Sequence, residues 1–223
     1  MLAKDLISDV IPALKKQDTG AKALNWMEVF RVSHLPVVNN NMELAGMISD
    51  NDIYDQNISE KNISEHKLSL MNPFVTPGQH IYDVIRLFAE HKLTTLPVVE
   101  NENKQYRGLI SHHELLHNLS KLMAVKNQGG IIILELNIHD YSLTEIAQIV
   151  EGNDVKILSL YVSSPDDSTE LNVTIKVNSI DLSRILQSFE RYNYHIKASF
   201  TEEDELGEFF MDRFKNFMKY LDV

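Results

Sequence analysis

The chain has 223 residues and no cysteine, which excludes disulfide frameworks, thiolate nucleophiles and zinc–thiolate sites. Its 43% hydrophobic and 24% charged content is that of a globular protein able to bury a core. A formal charge of −11, from 32 acidic against 21 basic residues, disfavours long-range attraction to nucleic acid or anionic lipid.

No apolar run approaches the roughly 18 residues that a membrane span requires. The opening segment MLAKDLISDVIPALKK is interrupted by Asp5 and Asp9 and broken by Pro12, unlike a secretory signal, so a cytoplasmic protein is expected. Ala23, Leu24, Met27 and Phe30 recur at helical spacing and predict a helix with one apolar face. Leu35 to Val38 reads as a short strand, with proline at its start where a sheet tolerates it. Asn39-Asn40-Asn41 is a polar turn and Leu44 to Ile48 the return strand. Ser49 follows at a helix N-cap position, with Asp52 three residues on.

The same sentence is then written again. At an offset of 61, Pro12 pairs with Pro73, Ala23 with Val84, Leu24 with Ile85, Met27 with Phe88, and Leu35-Pro36-Val37-Val38 with Leu96-Pro97-Val98-Val99. His91 stands where Phe30 stands. The second polar turn, Glu100 to Lys104, is one residue longer, so Gly46 pairs with Gly108, Ser49 with Ser111 and Asp52 with Glu114.

Lys121 to Gly130 reads as a boundary, in which the paired glycines are expected to end the preceding helix. Ile131 to Asn137 is a strand. Ser142-Leu143-Thr144-Glu145 opens a helix as a capping box, with Leu143, Ile146, Ala147 and Val150 on one face. Lys156 to Val162 and Glu170 to Val177 are strands, Asp181 to Tyr192 a helix, and Tyr194 to Phe200 a closing strand. The order βαββαβ predicts a ferredoxin-like sandwich. In the tail, Phe210, Phe214, Phe217 and Leu221 are spaced for a C-terminal amphipathic helix that packs on its own chain or joins two protomers.

The two LPVV strands, with Gly46 to Asp52 and Gly108 to Glu114, resemble a pair of CBS domains, a Bateman module, over about residues 1 to 122. The resemblance implies an α+β fold: CBS repeats over 1–61 and 62–124, a linker over 125–130, a ferredoxin-like domain over 131–200 and a terminal helix over 201–223. It also implies an adenine nucleotide of the AMP, ADP or ATP class between the repeats, with magnesium for the longer phosphates. Ser49 and Ser111 would face phosphate, Asp52 and Glu114 would hold the ribose, and apolar neighbours such as Met47 and Leu109 would flank the base. His112, His113, His80 and Arg107 are further candidates for phosphate or base contacts at the second site.

Two departures qualify the family pattern. Asp50 repels phosphate at the first site and favours a nucleoside or monophosphate there. Glu114 replaces the usual aspartate at the second, so the ribose contact is in doubt. Ser-x-x-Asp and Ser-x-x-Glu are also capping boxes that need no ligand, and a ligand-free dimerisation module stands as the alternative. His113 and His117 form an i, i+4 pair, but without an HExxH pattern no metal is expected.

The domain after the pair resembles an ACT domain, and the whole order resembles the bacterial acetoin utilization protein family. The turn His139-Asp140-Tyr141-Ser142 lacks the glycine that amino-acid binders of the ACT family often carry, so dimerisation is favoured there over amino-acid sensing. No catalytic constellation or glycine-rich phosphate loop appears. The expectation is a regulatory homodimer read by a downstream protein, not an enzyme.

Overall fold

The structure is a computed structural model that describes residues 1–56, 59–65, 72–100, 104–164 and 169–201. The chain divides into two compact units, Met1–Asn118 and a second beginning at Leu119. The expected terminal helix, 201–223, lies outside the described residues from 202 on.

In the first unit a short 3-10 turn, Ala3–Leu6, precedes strand β1 (Leu14–Lys15), helix α1 (Gly20–Phe30), the hairpin β2 (His34–Val38) and β3 (Leu44–Ser49), and helix α2 (Asp50–Gln56). A second 3-10 turn, Ile63–Glu65, leads to α3 (Ile81–His91), the hairpin β4 (Thr95–Val99) and β5 (Tyr106–Ser111), and α4 (His112–Leu122). Both hairpins are antiparallel with a bulge at the same place, between Val37 and Val38 and between Val98 and Val99. β1 lies parallel to β2 through Leu14 and Val37, and the isolated parallel bridge between Val75 and Val98 repeats that contact 61 residues later.

The repetition extends to conformations that side chains dislike. Arg31 and Lys92, 61 apart, end α1 and α3 in the left-handed region. Met42 and Lys104, 62 apart, take positive φ in the two hairpin turns. Such φ values are uncommon away from glycine, so their recurrence at matched offsets reflects one backbone plan used twice.

The repeats exchange their leading segments. Ala3 and Leu6 are buried with Val84, Phe88, Leu96 and Ile110 of the second repeat. Ile63, in the leading segment of the second repeat, is buried with Ala23, Met27, Leu35 and Ile48 of the first. Backbone bonds fix both insertions: Ala3 N–H donates to Gln79 C=O at 2.9 Å and Ser8 N–H to Leu109 C=O at 2.8 Å, while Ile63 N–H donates to Asp18 C=O at 2.7 Å. The hairpin tips are also joined, Leu44 N–H to Lys104 C=O at 2.9 Å and Tyr106 N–H to Met42 C=O at 2.8 Å. Each half therefore completes the other's core, and burial of apolar area supplies the driving force for the pair as a whole.

The second unit runs β6 (Ile131–Asn137), α5 (Leu143–Glu151), β7 (Ile157–Ser163), β8 (Glu170–Val177), α6 (Ser183–Arg191) and β9 (His195–Phe200). Its sheet order is β7-β8-β6-β9 with every neighbouring pair antiparallel, the ferredoxin-like arrangement. The core joins Ile132, Leu134, Val173, Ile175 and Val177 of the sheet to Ile146, Ile149 and Val150 of α5 and Ile185 and Phe189 of α6.

One local expectation is corrected. The paired glycines do not end α4, which stops at Leu122 with Ala124 at φ 53° in the turn that follows. Gly129 serves a close approach instead. It sits at φ +141°, where an added Cβ would fall 1.9 Å from the Val177 carbonyl oxygen.

Candidate functional site

The candidate residues stand where each hairpin feeds a helix. Ser49 ends β3 and Asp50 begins α2, so the chain turns from strand to helix without a loop. The exposed amides of a first helical turn need acceptors. Ser49 Oγ accepts from Asp52 N–H at 3.1 Å, and Asp52 Oδ2 accepts from Ser49 N–H at 2.8 Å. This is a complete reciprocal capping box. A serine hydroxyl has one hydrogen besides its two acceptor positions, so Ser49 still has a hydrogen to donate while it caps. Both side chains are half-buried.

The second junction keeps half of that pattern. Ser111 Oγ accepts from Glu114 N–H at 3.1 Å, but Glu114 does not return a bond to Ser111 N–H. Ser111 is buried, with 4% of its surface exposed, against the half-buried Ser49. Glu114 is one methylene longer than Asp52, the chemical difference between the two carboxylates. Met47 and Leu109 are fully enclosed beside the two junctions, at 2% and 0% exposure, and act as core residues.

The other four candidates do not converge on Ser111. His80 caps α3, accepting from Tyr82 N–H at 3.4 Å, and its ring packs edge-on against Tyr82. Arg107 is committed to Glu100 through Nε at 2.9 Å and Nη2 at 2.5 Å. His112 Nδ1 lies 3.1 Å from the Thr94 carbonyl oxygen, and His113 is exposed on α4. Among the described residues no three histidine or carboxylate side chains gather as a metal site would require, and no helix is long and apolar enough to cross a membrane.

A groove of about 700 Å³ opens beside the first junction, lined by Asn25 and Glu28 of α1 and its cap Arg31 with Ser33, Asp50 and Tyr54. Asp50 belongs to its wall, whereas Ser49 and Asp52 do not.

Three residues that the motifs did not single out, His34, Thr94 and Thr95, bond one repeat to the other. His34 is the cross-strand partner of Ser49, as Thr95 is of Ser111. Thr94 Oγ1 accepts from Ser33 N–H at 2.8 Å and from His34 N–H at 3.0 Å, and Thr95 Oγ1 donates to His34 C=O at 2.7 Å. Burial holds the His34 imidazole below its ordinary pKa, although the carboxylates of Asp50 and Asp52 pull the other way. Extending the 61-residue alignment upstream of LPVV would have paired Ser33 with Thr94 and His34 with Thr95.

In the second unit a hollow of about 490 Å³ lies beside the turn after β6, lined by Glu135, Asp140, Glu145, Tyr192, Tyr194 and His195 among others. Tyr194 donates to Glu145 Oε2 at 2.8 Å, and burial together with that carboxylate raises the phenol pKa. Lys197 Nζ lies 2.5 Å from Glu135 Oε1 and holds that carboxyl below its ordinary range.

Comparison with known proteins bears on the first unit. The family model described as CBS domain matches residues 3–57 and again 67–121. The inosine-5'-monophosphate dehydrogenase of Methanocaldococcus jannaschii is 25% identical over 131 residues, which are 58% of this chain and 25% of that protein. A CBS domain pair/ACT domain protein from Thermotoga maritima superposes with a TM-score of 0.48 at 25% identity, covering 54% of this chain and 98% of its own. A protein assigned to acetoin utilization from Vibrio cholerae gives 0.48 at 21% identity, covering 56% and 95%. The chain spans well under half the length of the curated relatives that it matches.

Proposed function

From the CBS domain pair that this chain carries, we propose a regulatory protein that senses an adenine nucleotide at the first strand–helix junction and has no catalytic role of its own. The observation that carries the reading is the junction itself. A serine hydroxyl with a hydrogen to give and a carboxylate three residues on stand half-buried where a sheet ends and a helix begins. The hydroxyl and the positive end of the backbone dipoles suit a phosphate. The carboxylate suits the paired hydroxyls of a ribose. Asp50 lines the adjoining groove and repels added phosphates, which favours AMP over ADP or ATP and leaves magnesium a part only with the longer phosphates. The second junction is the weaker candidate, because Ser111 is buried and Glu114 does not reach its amide.

Occupancy would be passed through homodimer contacts to a downstream protein. Amino-acid sensing by the second unit is disfavoured, because the hollow beside its first turn is walled by three carboxylates that repel an amino acid's own. The test is a thermal-shift comparison of AMP, ADP and ATP, each with and without magnesium. A ligand that binds only the native state stabilises it by about 2.7 kcal/mol at a concentration one hundred times its Kd. AMP is expected to raise Tm in the wild type and in Glu114→Ala, and to leave Asp52→Ala unmoved. A flat response to every nucleotide by an intact dimer would overturn the sensor and leave an association module.

A further inference from the structure

The hydrogen-bond inventory of Thr94 fixes the protonation of a histidine at the join between the repeats. A threonine hydroxyl has two acceptor positions and one hydrogen. Ser33 N–H at 2.8 Å and His34 N–H at 3.0 Å fill both acceptor positions of Thr94 Oγ1. The one remaining hydrogen points to the third neighbour, His34 Nδ1, at 3.1 Å. His34 Nδ1 is therefore an acceptor and its ring proton sits on Nε2. The Thr94 carbonyl, which can only accept, receives His112 N–H at 3.0 Å and faces His112 Nδ1 at 3.1 Å. His112 thus carries its proton on Nδ1, and the two histidines, one from each repeat, hang on the same threonine as opposite tautomers.

We propose that His34 and Thr94 form a proton-sensitive latch between the two repeats, closed when His34 is neutral and released when it becomes an imidazolium. A proton added at Nδ1 would point at a hydroxyl oxygen whose acceptor positions are both taken, so the side-chain bond is lost. A proton added to His112 goes to Nε2 and leaves its bond to the Thr94 carbonyl intact. The charged groups that face His34 are Asp50 and Asp52, from the first repeat's own junction. They favour the imidazolium. Desolvation of the half-buried ring opposes them and prevails. The elements facing it from the second repeat offer uncharged Thr94 and Thr95, with His112 beyond the Thr94 backbone. Histidine is the side chain whose charge ordinarily changes near neutrality, so the latch releases on mild acidification, at a lower pH than an exposed histidine titrates.

The test is nitrogen-15 NMR of the intact chain across pH 5 to 8, with the His34 and His112 signals assigned by their loss in His34→Asn and His112→Asn. At the upper pH the expected result is an unprotonated Nδ1 at His34 and a protonated Nδ1 at His112. The His34 midpoint should fall below the ordinary histidine value of about 6.5, and the Ser33 and His34 amide protons should shift with the same midpoint. Thr94→Val, which removes the hydroxyl, should raise the His34 midpoint, and Thr94→Ser should not. A protonated Nδ1 at His34, a midpoint at or above the ordinary histidine value of about 6.5, or a midpoint indifferent to Thr94→Val would each overturn the latch. Where a variant fails to fold, through-bond correlation of each ring to its own assigned backbone amide in the wild type identifies the signals, so the tautomer is still read.

Discussion

The two CBS repeats share a backbone and differ in chemistry. Their strands, bulges and left-handed residues recur at offsets of 61 and 62. Their junctions do not behave alike: Ser49 and Asp52 bond each other reciprocally, while Ser111 is sunk into the core and receives nothing back from Glu114. The apolar positions must fill a core of set volume and so keep their types. A junction facing a groove is held only by a cap worth about 1 kcal/mol, which leaves its side chains open to divergence. A repeat establishes architecture for both copies at once, whereas a binding site has to be argued copy by copy.

The largest effect should come from breaking the exchange of leading segments. Leu6 lies in the first repeat's sequence but in the second repeat's core, at 1% exposure. Leu6→Ala is expected to destabilise the first unit by about 2–5 kcal/mol in chemical denaturation, the usual cost of truncating a buried leucine. Hydrogen exchange should accelerate first in β4 and β5. Loss of protection confined to β2 and β3 would show that the segment serves its own repeat.

A smaller loss is expected at Gly108, where the same exchange crowds the backbone. Gly108 has φ +147°, and an added Cβ would lie 2.5 Å from Ile7 Cγ2. Gly108→Ala should cost about 1–3 kcal/mol from combined overpacking and backbone strain. Pairing it with Ile7→Ala should recover part of that cost, and an additive double mutant would place the strain elsewhere.

The junctions themselves should differ by less. Asp52→Ala removes the acceptor of Ser49 N–H and should cost about 1 kcal/mol. Glu114→Ala removes no bond to Ser111 and should stay within about 0.5 kcal/mol. Equal costs in urea denaturation would mean that the second junction closes as the first does.

Most of the architecture was legible in the sequence because periodicity and repetition report burial. The helix faces, both hairpins and the βαββαβ order follow from apolar spacing, and the strand bounds differ from expectation by a residue or so. The exchange of Leu6 and Ile63 was not legible, since an apolar residue in a leading segment does not say whose core it enters. Nor was the end of α4, because a turn through Ala124 leaves no glycine to mark it. Of the candidate site, the Ser49–Asp52 contact was readable from the N-cap pattern. The dispersal of His80, Arg107 and His112 was not: His80 and Arg107 are taken up by nearby Tyr82 and Glu100, which the motif does not include, and His112 by the Thr94 carbonyl 18 residues away. His34 and Thr94 escaped because their bonds span 60 and 61 residues.

The smallest effect is expected in the second unit, which contains no repeat and so serves as the control for the acid response of the first. Lys197, with a lesser contribution from His195, holds Glu135 below the ordinary glutamate range. A carboxyl whose folded pKa is depressed binds more protons when unfolded, so it contributes stability that is present above the unfolded value and lost as pH falls through the folded one. His34, also depressed, follows the same sign but in the histidine range, near neutrality. Acid unfolding followed by Trp26 fluorescence for the first unit and by assigned backbone amide signals of β6 and β8 for the second should therefore separate two phases, the first unit weakening at the higher pH. Lys197→Met should move only the lower phase, and slightly, because the pair is exposed and screened by salt. His34→Asn should move only the upper one. If Lys197→Met shifted the upper phase, the two units would not be responding to separate protons, and the loss near neutrality would have to be assigned to a group other than His34.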